Sequence, residues 1–337
     1  MLQILSFKGS INFLRHALPI SIMSAVLVVA SLASLATKGI NWGLDFTGGT
    51  SVIMEFSKPA NLDELRLALD TELTSGAVVQ NFGSSRDVVV RLQVREGIKS
   101  DLQVKEVFAA AAKQDPAVQQ KSVEFVGPQV GKELAEQGGL AVLVALICIL
   151  IYVSFRFEWR LAMGSVAALA HDVIVTLGLF SFLQLEFDLT VLAGLLTVVG
   201  YSLNDTIVVF DRIRENFLKM RKATPVEVVN TSITQTMSRT IITTGTTLIT
   251  VVALFLKGGT LIHGFATALL MGILVGTYSS IYVASFLAIK LGINREHMMP
   301  VEVEKEGADQ PSLMPDKPKL KKPPAGGFLC LDSWKRF

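Results

Sequence analysis

Apolar positions in this chain gather into six blocks, at roughly residues 17–36, 139–155, 161–183, 189–210, 240–256 and 261–291. Each block is about the length a helix needs to cross the hydrocarbon of a bilayer, roughly twenty residues. Between the first two blocks the pattern changes. Residues 50–56 alternate, with Val52, Met54 and Phe56 on one face, as in a half-buried strand. Asn61 then reads as the cap of a helix with Leu62, Leu65, Leu69 and Leu73 on one stripe and Asp63 and Glu64 in the first turn. Strands are predicted at 77–82 and 87–94, with 83–86 as the turn between them. Ser100 is predicted to cap a second helix that faces Val104, Val107, Phe108 and Ala111 inward, and a last strand spans 121–126. The order β-α-β-β-α-β predicts a split-βαβ, ferredoxin-like domain over 37–130. The fold class expected is therefore an α-helical polytopic membrane protein with one small α/β domain between its first two spans.

Composition agrees with that pattern. Half of the 337 residues are hydrophobic, the mean hydropathy is +0.50 and the net charge is +2. The charge balance offers no field for nucleic acid. The first block resembles a signal peptide, with Lys8 and Arg15 before it and Ser34-Leu35-Ala36 as a cleavage candidate, but it is longer than an h-region of about 7–15 residues. A retained helix is expected. Lysines and arginines fix the orientation. Lys8, Arg15, Arg156, Arg160, the run Arg212, Arg214, Lys219, Arg221 and Lys222, and Lys290 and Arg295 all fall on one side. Both termini and a basic loop at 211–239 are thus expected in the cytoplasm, and the 37–130 domain on the exported side of the membrane. A charged, proline-rich tail over 296–337 is predicted to be disordered; its aromatic end at 328–337 suits either a partner peptide or a reading-frame remnant.

A charge at mid-bilayer costs about 2.5–3.5 kcal/mol on insertion scales, so each one needs a reason. The third block carries His171 and Asp172, and the fourth carries Asn204 and Asp205 ahead of Asp211. The fifth opens on Ser238-Arg239, with Arg239, Thr243, Thr246 and Thr250 on one helical face. These three helices are expected to turn a His-Asp pair, an Asp and an Arg-led hydroxyl stripe toward a common interior. A carboxylate in lipid can load and release a proton, and an arginine within about 4–6 Å changes how tightly it holds one. Asp205, with Arg239 and Thr243, is the expected proton-coupling group, supported by Asp172, His171, Asn204 and Asp211. The bland alternative is a set of hydrogen bonds and ion pairs that merely hold helices together. Gly264, Ala268, Gly272, Gly276, Ser280 and Ala284 recur every fourth residue in the sixth block and predict a close-packing seam.

Other chemistry finds little support. The four histidines and two cysteines have no metal-ligand or disulfide spacing. The 127–133 stretch has one residue too few for a phosphate loop, and Glu133 stands where a Mg²⁺-binding hydroxyl belongs. No nucleophile–base arrangement is visible. The expectation is a non-enzyme with no metal and no cofactor, protons being the coupling ion.

Three segments resemble one family. They are Gly43-Leu44-Asp45-Phe46-Thr47-Gly48-Gly49, the run from Gly200-Tyr201-Ser202-Leu203-Asn204-Asp205-Thr206 into Phe210-Asp211-Arg212, and Ser238-Arg239-Thr240 before the threonines. They are similar to the signatures of the SecD/SecF protein-export membrane proteins of the RND superfamily, on the SecF side, and the resemblance extends over about residues 5–295. It implies an RND-type six-helix half that pairs with SecD and associates with YajC and the SecYEG channel. It further implies work with the proton gradient on unfolded exported polypeptides. Residue by residue, the family's coupling acid, arginine and threonine fall on Asp205, Arg239 and Thr243, and its glycine signature on Gly43, Asp45, Phe46, Gly48 and Gly49. Two rival readings stay open, a passive assembly subunit and an RND half-transporter of lipids or small solutes.

Overall fold

In a computed structural model, residues 11–71, 73–93 and 98–298 are described. Lys8, Val94 and the tail after 298 lie outside them. Among the described residues, six helices are long and apolar enough to cross a membrane. The first is α1 (Ala17–Lys38), joined through a two-residue strand β1 (Asn41–Trp42) and a single helical turn α2 (Leu44–Thr47) to the α/β domain.

That domain runs β2 (Gly49–Glu55), α3 (Leu62–Ala68), β3 (Val78–Phe82), β4 (Ser84–Leu92), α4 (Ser100–Gln114) and β5 (Gln119–Val126). Its antiparallel sheet is ordered β3-β4-β2-β5, the split-βαβ arrangement. Period-two burial decides the faces: Val52, Met54, Phe56, Val88, Val90 and Leu92 pack beneath Leu65, Leu69, Val107 and Ala111 of the helices. Register is set by pairs such as Val52 with Val90 and Val52 with Val123. Several local expectations shift. Asn61 does cap α3, its Oδ1 accepting from the Glu64 N–H, but the helix closes at Ala68, so Leu73 is not on its stripe. Lys99, not Ser100, is the N-cap of α4, and no side chain bonds there. The turn expected at 83–86 contracts to Gly83, whose φ of +80° lets Phe82 pair directly with Ser84.

The second span, α5 (Pro128–Arg156), starts well before its apolar block, with Pro128 in the first turn where a missing N–H costs nothing. It is followed by α6 (Trp159–Leu183), a short strand β6 (Glu186–Phe187) and α7 (Leu189–Lys219). Then come α8 (Pro225–Lys257), α9 (Thr260–Ser279), a π turn at Ser280–Ala284 and α10 (Ser285–Lys290). Hydropathy ends the fourth span at 210 and starts the fifth at 240, yet both helices run on. The stretch read as a basic loop is thus mostly helix, with a break at 220–224. The continuation is held by Arg212 and Lys219 pairing with Glu215 at i,i+3 and i,i+4 spacing, and by a capping box between Thr224 and Glu227.

The small-residue seam packs against α7. A methyl group on Gly272 would lie 2.1 Å from Val198 Cγ2, and one on Gly264 2.8 Å from Val191 Cγ2. α7 therefore sits deep in the bundle, with α6, α8 and α9 all against it.

Candidate functional site

Asp205 lies a little past the midpoint of α7 and is 3 % exposed. Its neighbours at i−3, i+1 and i+4 on the same helix, Ser202, Thr206 and Val209, are buried too, so the carboxylate belongs to the inward stripe. Its Oδ2 is buried without a hydrogen-bond partner among the described residues. Arg239 stands on the neighbouring helix α8. Among the described residues, that oxygen has no partner that would fix the charge state of the acid.

Asp172 is placed differently. It is fully buried on α6, and its Oδ2 accepts from Ser202 Oγ of α7 at 2.5 Å and from Ser279 Oγ of α9 at 2.7 Å. Its Oδ1 lies 2.9 Å from His171 Nδ1. Both oxygens are engaged, and the group pins three helices together at one level. Among the described residues, His171 Nε2 is buried with no hydrogen-bond partner. Ser202 stands inside the fourth-helix motif, but Ser279 had no signal in the sequence beyond being a hydroxyl next to the seam residue Ser280.

The other expected members do not converge on Asp205. Asn204 is exposed, one step round the helix from it. Asp211 pairs with Arg156 of α5, at the end of the bundle away from the α/β domain. The Arg239–Thr243–Thr246–Thr250 face is not turned to the interior of this chain. Arg239, Thr246 and Thr250 are exposed and Thr243 is half-buried, while Thr240 and Thr244 are the buried pair. The physical reason is that α8 packs on α7 and α9 through Val229, Ile233, Thr240, Thr244 and Val251. Tyr201 OH and Thr277 Oγ1 both reach Thr244 Oγ1, at 3.0 and 3.2 Å, which fixes that rotation. The outward threonines satisfy themselves: Thr243 Oγ1 donates to the Arg239 carbonyl at 3.0 Å and Thr246 Oγ1 to that of Ile242 at 2.9 Å. Among the described residues no group of three or more His, Cys, Asp or Glu side chains could hold a metal ion.

The glycine signature occupies the junction between the α/β domain and the head of α7. β1 pairs in parallel with β6, and the Gly43 N–H donates to the Phe187 carbonyl at 2.8 Å. Asp45 Oδ2 accepts the Leu189 N–H at 2.9 Å, while Asp188 caps the same helix through Val191 N. Phe46 stacks on Phe187 with centroids 6.2 Å apart. Gly49 has φ +139°, and a Cβ there would meet the Leu92 carbonyl oxygen at 2.4 Å, so this position needs glycine.

Two family models match the chain. One, described as the C-terminal part of the protein export membrane proteins SecD/SecF, covers residues 103–294, and the other, the SecD/SecF GG motif, covers 33–60. The protein translocase subunit SecF of Vibrio alginolyticus is 60 % identical over 310 residues, spanning 92 % of this chain and 98 % of that one. That of Escherichia coli O157:H7 is 52 % identical over 297 residues, spanning 87 % and 91 %. Among solved structures, SecDF of Thermus thermophilus, a translocon-associated membrane protein, superposes with a TM-score of 0.75 at 38 % identity. The match covers 86 % of this chain and only 39 % of that longer one. With the GG-motif model lying over the signature loop, the C-terminal model lying over the fourth-helix motif, and these SecF relatives matched over most of their length, the chain belongs to the SecD/SecF family of multi-pass protein-export membrane proteins, on its SecF side.

Proposed function

We propose that this chain is the SecF-type half of a proton-driven protein-export device. It pairs with a SecD half, works with YajC at the SecYEG channel, and helps draw unfolded polypeptides across the bacterial inner membrane. Lysine and arginine placement favours cytoplasmic termini and an exported α/β domain. The names of the relatives support the Sec assignment, as does the short coverage of SecDF, whose remaining length leaves room for the other half.

The observation that carries the coupling is Asp205, a buried acid whose Oδ2 has no hydrogen-bond partner among the described residues, with Arg239 as the cation of the neighbouring helix. A proton arriving at Asp205 removes the charge that Arg239 attracts, and its departure restores that charge. Each cycle thus alternates the force between α7 and α8. The supply suffices in kind, about 2.3 kcal/mol per proton for each 100 mV of membrane potential. The outward face of Arg239 and Thr243 supports a site completed by the partner half.

A passive assembly role has the closed Asp172 network in its favour, but it gives no use to an unpartnered Asp205. Asp205→Asn separates the two readings. Coupling predicts loss of gradient-dependent stimulation of precursor translocation into vesicles, with the SecD complex intact. Undiminished stimulation, or loss of the complex instead, would overturn it.

A further inference from the structure

The four-stranded sheet hangs from the bundle by two covalent connections, the β1–α2 linker and the direct run of β5 into α5. Beneath the sheet's outer face lies a cleft of about 600 Å³, walled by Ser51, Gln80 and Val89 above and by Leu185 and His263 below. A body held at two points over a cleft can tilt unless something crosses the gap.

Arg91 crosses it. This residue ends the outer face of β4, where it pairs with Ser51 of β2 and Val78 of β3, so the sheet's own ladder fixes its backbone. Its guanidinium forms an ion pair with Glu186 of β6, the residue three positions before α7 begins. The two side chains are only 11 % and 25 % exposed. Among the described residues this is the ion pair that joins the sheet to the helices. Glu186 is itself held firmly. Its backbone pairs with Asn41. The head of α7 is also tied by Asp45 of the signature linker and by its own cap Asp188, and among the described residues Arg91 is the sheet side chain that forms an ion pair there.

We propose that Arg91 and Glu186 are positioning residues that form the joint passing movement of α7 to the exported domain. The inference rests on the coupling reading above. From Glu186 the chain turns directly into α7, which runs uninterrupted to Asp205 about 24 Å further on at 1.5 Å per residue. A displacement set at Asp205 reaches β6 along one rigid helix. It is handed to the sheet by a charge pair, which keeps its direction better than an apolar contact would. A mostly dry ion pair with one partner removed leaves an uncompensated charge, so a single change should be worse than a compensated double one.

The test uses vesicles holding this chain with its SecD partner and reads gradient-dependent stimulation of precursor translocation. Arg91→Glu sets two carboxylates against each other and is expected to cut the stimulation at least about fivefold without lowering the amount of SecD complex. Glu186→Arg, the mirror change, is expected to do the same and stands in if the first variant fails to accumulate. The exchanged pair Arg91→Glu/Glu186→Arg is expected to restore at least about half, which a residue needed only for packing would not allow. Full stimulation in the single variants, or no recovery in the exchanged pair, would overturn the joint. Asp205→Asn serves as the reference. If it alone abolishes stimulation, the joint fails and the coupling stands; if it is without effect, the coupling reading itself has failed.

Discussion

Asp172 can be told apart from Asp205 by what its removal strands. Asp172→Ala takes the acceptor from Ser202 Oγ and from His171 Nδ1; the Nε2 of that imidazole already has no partner. Ser279 is less affected, because its hydroxyl also reaches the Gly276 carbonyl at 3.1 Å. Two buried polar groups are then left unsatisfied at about 1–3 kcal/mol each, reduced by the modest worth of hydrogen bonds inside membranes. A total near 2–4 kcal/mol follows, enough to lower the melting temperature by about 5–10 °C for a chain of this size. Asp172→Asn keeps the volume and one acceptor, and should cost about 1 kcal/mol. Melting of the purified complex in detergent, followed by size exclusion, checks both numbers, and vesicle translocation checks function. Asp172→Asn is expected to translocate almost as the parent does. If it melted like the parent yet lost the gradient-dependent stimulation, Asp172 would be a titrating relay and the account of it as a pin would be wrong.

The seam gives a second expectation. Gly272→Ala drives a methyl into Val198 and should destabilise the bundle by about 1–3 kcal/mol, with Val198→Ala restoring most of the loss in the same melting assay. Glu186 gives a third. Burial pushes its carboxyl above the usual range, Arg91 pulls it back in part, and Asp188 adds to the rise. A folded-state value raised above the unfolded one means that the stabilising contribution is present below the ordinary glutamate value and fades as pH rises through the raised one. The melting temperature should therefore fall over that window by more in the parent than in Glu186→Gln; an equal or opposite slope would contradict the assignment.

Much of the architecture is written locally. Apolar blocks of membrane length, alternation at Val52, Met54 and Phe56, and the Asn61 cap each act within a few residues, so they survive without tertiary context. Asp205 was legible for the same reason, as a charge inside an apolar run. Hydropathy failed at 211–239 because it measures solvent preference, whereas the backbone there follows helix propensity and i,i+4 pairing. It also failed on the rotation of α8. Threonines at 240, 243, 244, 246, 247 and 250 spread over nearly half the circumference of that helix, and the bonds from Tyr201 and Thr277 to Thr244 mark the edge that turns inward. The Arg91–Glu186 pair joins residues on different elements, far apart in the chain, and no local pattern announces it.

The self-bonded hydroxyls of α8 carry a mechanical meaning. Ser232, Thr234, Thr236, Thr243, Thr246, Thr247 and Thr250 each donate to a carbonyl one turn back. On α7 the hydroxyls that do so are Thr197 and Thr206. Such bonds compete with the helix's own ladder and favour bending. α8 is thus the more easily bent helix of the pair and α7 the stiffer one. Under the coupling proposed above, stiffening α8 is expected to slow the cycle without touching a single titrating group.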